Sequence, residues 1–189
     1  MRLPILKYGG PVHLFSGTAV LDDALQEISR EKLVGFDTEK PPTFRKGQIH
    51  APGLLQIATS DAVFIFQLRA LESRTRLAEI FENSRLIKAG MALGRDVAEL
   101  RELFPFEPTA MVDLGEVAAR RGMKQTGLRN LAGIFLGGRI TKSAQTSNWA
   151  APVLSPKQIV YAATDAWVCR ELYLRFDALG LFSPMVAPA

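Results

Sequence analysis

The run Leu33-Val34-Gly35-Phe36-Asp37-Thr38-Glu39 constrains the fold of this chain more than any other stretch. Leu33, Val34 and Phe36 are apolar residues suited to a core strand. Such a run ordinarily stops at a turn residue, but this one continues into Asp37 and Glu39. In a strand, residues i and i+2 point to the same face. Two carboxylates therefore share one face at the end of a hydrophobic strand, where they repel each other and lose hydration. That is costly unless a cation sits between them. Taken alone, the stretch reads either as a strand fraying into an acidic surface loop or as half of a cation site. The remaining carboxylates decide between the two.

With 189 residues, 48% hydrophobic and 22% charged, the chain can bury a full α/β core. Its net charge of +4 permits a polyanionic partner without demanding one. The lone cysteine, Cys169, allows no internal disulfide, fits a reducing cytosol and reads as a small apolar helix residue. No apolar run approaches the ~20 residues needed to span a bilayer. Pro4, Lys7 and the pair Gly9-Gly10 break up the N-terminus, which does not resemble a secretory signal. The expectation is a cytoplasmic protein with no membrane contact and no obligate protein partner.

Periodicity and turn residues predict the following elements. A strand over 12–15 precedes a helix over 19–30 capped by Ser16 or Thr18, and the strand ending at Glu39 follows. Residues 40–52 form a basic Pro/Gly-rich loop, either mobile beside the acids or simply solvated. Strands over 54–59 and 62–66 make a hairpin turning at Ser60-Asp61. A helix over 71–83, a strand over 86–91, a helix over 95–104 and a short strand over 111–114 come next. Helices over 116–121 and 128–136, the latter stopped by Gly137-Gly138, lead to a polar loop over 139–152. The last helix starts with Ser155 as its cap and Pro156 in its first turn, and ends at Gly180. This order predicts an α/β fold with a mixed central sheet, an antiparallel meander joined to parallel strands and flanked by helices. No break suggests a domain boundary.

Asp165 is a poor residue for mid-helix. Tyr161 lies one turn before it on the same face, which allows either a shared site or a plain local hydrogen bond. Asp96 falls in the first turn of a helix after a strand, where α/β sheets place ligands but where acids also stabilise the helix dipole. Asp61, Asp113 and Glu116 fit turns and helix starts. His13 and His50 lack any metal-ligand spacing.

In order, the motifs are Phe-Asp-x-Glu-x-Pro-Pro, Leu-Leu-Gln-Ile-Ala, Ile-Lys-Ala-Gly, Asp113-Leu114, Lys142-Ser143, Ser147-Asn148-Trp149 and Tyr-Ala-Ala-Thr-Asp-Ala-Trp. Together, over about residues 33–174, they resemble the DEDD-type 3′–5′ exonucleases of the Tyr-x-x-x-Asp branch. The motifs are similar to those of Werner-type exonuclease domains and, more distantly, of ribonuclease D. The resemblance implies a ribonuclease H-like three-layer fold. It implies that Asp37, Glu39, Asp96 and Asp165 gather around two divalent ions, Mg²⁺ or Mn²⁺, a choice that suits all-oxygen ligands. Asp37, Glu39 and Asp165 would hold the ion that binds the attacking water. Asp37 would bridge to the second, which Asp96 serves through its water shell. Tyr161 would orient the water and the scissile phosphate. The expected activity is metal-dependent release of nucleoside 5′-monophosphates from single-stranded or 3′-ended DNA or RNA. The alternative is a nucleic-acid-binding module of the same fold that has lost catalysis. Lys40 departs from the pattern, because relatives often carry an aromatic there. It could substitute a phosphate contact for base stacking. No accessory binding domain is expected. Lys40, Arg45, Lys46, Arg129 and Lys142 are therefore the candidate substrate contacts, each set against the simpler reading of a solvated surface cation.

Overall fold

The computed structural model describes residues 3–43 and 50–183, so Arg45 and Lys46 lie outside the described residues. Six strands form one sheet: β1 (Val12–Phe15), β2 (Leu33–Glu39), β3 (Leu54–Ala58), β4 (Val63–Gln67), β5 (Ile87–Gly90) and β6 (Met111–Asp113). Their order across the sheet is β1-β4-β3-β2-β5-β6. β2, β3 and β4 form the antiparallel meander, β1 pairs in parallel with β4, and β5 and β6 extend the other edge in parallel.

The alternation along β2 sorts its residues between two cores. Val34 and Phe36 point into one with α1 (Asp22–Arg30), α2 (Ala78–Glu82) and α3 (Leu93–Leu103). On the opposite face lie α4 (Leu114–Arg120), α5 (Leu128–Phe135) and α6 (Pro156–Ala178). The result is the expected three-layer α/β arrangement of ribonuclease H-like proteins. No helix among the described residues is long and apolar enough to cross a membrane.

The element that matters most for function is α6. Ser155 caps it, with Gln158 completing a reciprocal capping box and Pro156 in the first turn. Gly180, at φ +65°, follows its end. Its small residues Ala162, Ala163 and Ala166 lie against the sheet. Gly35 has no side chain to keep α6 away: a Cβ there would fall 1.9 Å from the Ala166 carbonyl oxygen and 2.7 Å from the Arg170 amide nitrogen. This close approach seats the helix directly on the strand that carries Asp37 and Glu39.

Several boundaries differ from the sequence reading. Neither Ser16 nor Thr18 caps α1, which begins at Asp22 after a turn through Gly17 at φ +60°. Two acids in its first turn favour the helix dipole instead of a side-chain cap. The predicted helix over 71–83 is a 3₁₀ turn (Arg74–Leu77) leading into the five-residue α2. α3 starts at Leu93, two residues earlier than predicted, after Ala92 in the left-handed region at φ +53°. The loop after α5 folds back onto the sheet. Gln67 donates to the carbonyls of Ala151 and Pro152, and Trp149 is buried beneath it.

Candidate metal centre and cleft

Asp37 and Glu39 project from the face of β2 that Gly35 shares, towards α6. Asp165 comes down from α6 one residue before the close approach at Ala166. One oxygen from each of the three carboxylates lies within 4.8 Å of the others. They sit in a cleft of about 490 Å³, which Tyr161, Arg129, Asn130, Thr141, Lys142 and Gln145 also line.

The electrostatics of this trio are strained. Burial, then the charges of Asp165 and Asp96, push the Asp37 carboxyl well above its ordinary range, although the Thr38 amide and Lys40 oppose them. Burial and then Asp37, Asp165 and Asp96 push Glu39 up to about 10. Burial raises Asp165 to about 7, while its contact with Tyr161 and the charge of Arg129 restrain it. Oδ1 of Asp165 is buried with no hydrogen-bond partner. Three clustered carboxyls that resist ionisation, one with an orphaned buried oxygen, fit a hard divalent cation. Such an ion reverses the local charge balance, and its preferred ligands are all oxygens. Tyr161 is pushed upward by burial and by Asp165 and Glu39, so its phenol stays protonated.

Asp96 stands apart from the trio. One of its oxygens is held by Lys40 Nζ at 2.9 Å, and Lys40 also pairs with Glu99 one turn further along α3. Glu99 in turn accepts from Arg95 Nε at 2.8 Å. Burial works against the Lys40 charge, but hydrogen bonds to Glu99 and Asp96 outweigh it and hold the ammonium above its usual value. Lys40 is thus committed to two carboxylates rather than presented to the cleft. The charge of Asp96 still bears on Asp37 and Glu39.

Arg129 and Lys142 line the cleft. The Arg129 Nε donates to the Ile140 carbonyl at 3.1 Å, which fixes the guanidinium, and its terminal nitrogens make no hydrogen bond among the described residues. Asp113 caps α4 through the amides of Gly115 and Glu116 and also accepts from the Leu93 amide, so it ties the starts of two helices together. Cys169 is buried, and burial pushes its thiol well upward, which makes it unreactive. His13 lies in β1, stacked on Phe64.

Two residues escaped the sequence reading. Glu99 lies three residues after Asp96, a spacing that puts both on one helix face; the missing signal was Lys40 as their common partner. Gln56, opposite Asp37 in the β2–β3 register, is wholly buried with neither amide atom hydrogen-bonded. A polar residue inside Leu54-Leu55-Gln56-Ile57-Ala58 was the visible clue.

Comparison with known proteins gives a consistent result. The family model described as "3'-5' exonuclease" matches residues 12–179. The chain is 28% identical over 190 residues to the bifunctional 3'-5' exonuclease/ATP-dependent helicase WRN of Mus musculus, covering 95% of this chain and 14% of that protein. It is 31% identical over 195 residues to a 3'-5' exonuclease of Arabidopsis thaliana, covering 91% of this chain and 65% of that one. It thus spans less than two thirds of the length of either relative. Among solved structures, the Nibbler EXO domain of Aedes aegypti superposes with a TM-score of 0.78 at 24% identity, covering 89% of each chain. The catalytic core of RRP6 from Trypanosoma brucei gives 0.83 at 20% identity, covering 96% of this chain and 50% of that one. At those identities the structural likeness speaks for the fold alone.

Proposed function

The chain belongs to the 3′–5′ exonuclease family, and from that premise we propose that it shortens nucleic-acid strands from the 3′ end by hydrolysis, one nucleotide at a time. The observation that carries this reading is the convergence of Asp37, Glu39 and Asp165 from two chain-distant elements into one cleft with Tyr161 and Arg129.

Asp37, Glu39 and Asp165 would hold the divalent metal, Mg²⁺ or Mn²⁺, with Asp96 contributing to a second ion. When bound, such ions acidify a water and neutralise charge on the phosphate and the leaving oxygen. The protein's own residues do the rest. Tyr161, a protonated phenol, donates a hydrogen bond to the water or the scissile phosphate and so positions it. Its raised pKa keeps the phenol protonated, so it is not available as a general base. Arg129, pinned by Ile140, offers its free guanidinium nitrogens to a phosphate oxygen, with Lys142 nearby. The water releases a proton to solvent as its oxygen bonds to phosphorus, the bond from phosphorus to the 3′ oxygen breaks, and that oxygen takes up a proton from solvent. The products are a nucleoside 5′-monophosphate and a strand one residue shorter with a free 3′-hydroxyl. Either DNA or RNA presents the phosphodiester this chemistry needs.

The test is digestion of 5′-labelled and 3′-labelled oligonucleotides, DNA and RNA, with Mn²⁺ and with EDTA. A ladder of single-nucleotide steps from the 3′ end is expected with Mn²⁺, and none with EDTA. Asp37→Ala should abolish the ladder. Full activity in that variant, or cleavage that persists in EDTA, would overturn the reading.

A further inference from the structure

Gln56 sits in the middle of β3, where Leu54, Leu55, Ile57 and Ala58 are all apolar and wholly buried. Gln56 is buried as completely, yet neither its Nε2 nor its Oε1 has a hydrogen-bond partner. Other buried polar side chains of the fold are served. Gln67 on β4 donates to the carbonyls of Ala151 and Pro152, and Gln158 on α6 donates to the Asn148 carbonyl. Lys88 on β5 donates to the carbonyls of Phe81 and Asn83. Buried polar groups in folded proteins are nearly always bonded, and each bond left unmade costs stability. An amide with both atoms unserved, in the centre of a sheet, therefore calls for a role.

Register fixes where that amide lies. Gln56 is directly opposite Asp37 on β2 and Ile65 on β4. Residues opposite one another in an antiparallel pair share a face, with Cβ atoms about 4.5–5.5 Å apart, a gap that a long side chain can span. Two residues either way along β3, Leu54 and Ala58 pack with Ile65 and with Ala162, Ala163 and Ala166 of α6. Gln56 thus lies beneath α6, on the face from which Asp37 and Glu39 project, one strand over from Asp37.

Resting on the exonuclease reading, we propose that Gln56 is a positioning residue for the metal centre, whose Nε2 donates to the Asp37 carboxylate when a divalent ion is bound there. Carboxylates that ligate metals are themselves hydrogen-bonded by a surrounding shell, which sets their orientation. An amide suits this task beside three clustered acids. It donates without bringing a positive charge that would compete with the ion, and without adding a fourth negative charge to the cluster. Gln56 acts through Asp37 and touches neither the substrate nor the reacting atoms. The metal-free fold bears the cost of the unserved amide, and the loaded site recovers it.

The test replaces the amide by apolar side chains of two shapes, Gln56→Met and Gln56→Val, with Gln67→Met as the control glutamine. Melting temperature in EDTA and Mn²⁺ affinity by isothermal titration calorimetry are read on each. In EDTA both Gln56 variants should melt above the wild type, by roughly 2–8 °C, because two buried polar atoms without partners are gone. Their Mn²⁺ affinity should nonetheless fall by about 10- to 100-fold. Gln67→Met should do the reverse: it loses two hydrogen bonds, melts lower and keeps its Mn²⁺ affinity. Higher stability with weaker metal binding is a combination that a merely structural glutamine would not give. Both Gln56 variants melting below the wild type in EDTA, or an equal loss of Mn²⁺ affinity in Gln67→Met, would overturn the proposal. Mn²⁺ binding by the wild type that both Gln56 variants match would remove the proposal alone, whereas a wild type that binds no Mn²⁺ would remove the exonuclease reading and the proposal together.

Discussion

Gly35→Ala should disable the candidate metal centre without touching Asp37, Glu39 or Asp165. The added Cβ would fall 1.9 Å from the Ala166 carbonyl oxygen, and both clashing partners belong to the backbone. No rotamer change can relieve this, so β2 and α6 must separate. An ordinary carbon–oxygen approach of about 3.3 Å requires a displacement of about 1.4 Å. Asp165 is the residue before Ala166 and moves with it, away from Asp37 and Glu39. Overpacking of this kind costs about 1–3 kcal/mol. For a chain of this size, that lowers the melting temperature by roughly 2–12 °C, at about 2–4 °C per kcal/mol. The sharper effect falls on the site, where a misplacement of about 1 Å can cost roughly 10²-fold in rate. Differential scanning fluorimetry with and without 1 mM Mn²⁺ reads both effects. A ligand at 100 times its Kd adds about 2.7 kcal/mol, and the wild type should show a Mn²⁺-dependent rise of that order. Gly35→Ala should show little of it. Gly94→Ala is the control, because a Cβ there meets nothing within 4 Å, and it should leave the Mn²⁺ response intact. A Gly35→Ala protein that melts as the wild type does and keeps the full Mn²⁺ rise would refute the claim that this contact sets the spacing of the three carboxylates.

The metal-free protein should lose stability as pH rises. Asp165, at about 7 in the fold, stays protonated over a range where the unfolded chain has already released that proton; Asp37 is raised too, and Glu39 reaches about 10. The folded state thus holds more protons from pH ~4 upward, so raising the pH favours unfolding. Metal binding needs the ionised carboxylates, and the Mn²⁺-dependent rise in melting temperature should be larger at pH 8 than at pH 6; the reverse order would contradict these shifts. Lys40→Met should cost the metal-free protein about 1 kcal/mol or less from a partly exposed ion-pair cluster. It should also tighten binding of a second divalent ion at Asp96 by isothermal titration calorimetry, and weaker binding would mean that Lys40 assists the ion instead of competing with it. Tyr161→Phe should slow oligonucleotide digestion while leaving the Mn²⁺ response unchanged, and a diminished response would reassign the tyrosine to metal binding.

The parts of this fold legible in the sequence are those with local causes. β2 announced itself through an apolar run interrupted by two same-face acids, and α6 through Ser155, Pro156 and the acid in its middle. Where local signals compete, the reading slipped. Ser16 and Thr18 are good caps by type, yet the turn at Gly17 delays α1 to Asp22. The apolar spacing over 71–83 suits a long helix, but the chain there forms a 3₁₀ turn and a short α2. Contacts between distant residues left no local trace. The partners of Lys40 lie 56 and 59 positions away on α3, and nothing in the sequence around Gly35 signals that Ala166 will rest on it. Gln56 was visible as a polar residue in an apolar strand, but its place beside Asp37 depends on a register that only the folded sheet supplies.

The distribution of the acids along the chain also orders events during synthesis. Asp37 and Glu39 emerge early, whereas Tyr161 and Asp165 are carried by α6, the last helix described. A nascent chain that has not yet released α6 holds only part of the ligand set and lacks the helix that completes the cleft. The cleft is therefore assembled only when α6 has been made and has docked against Gly35.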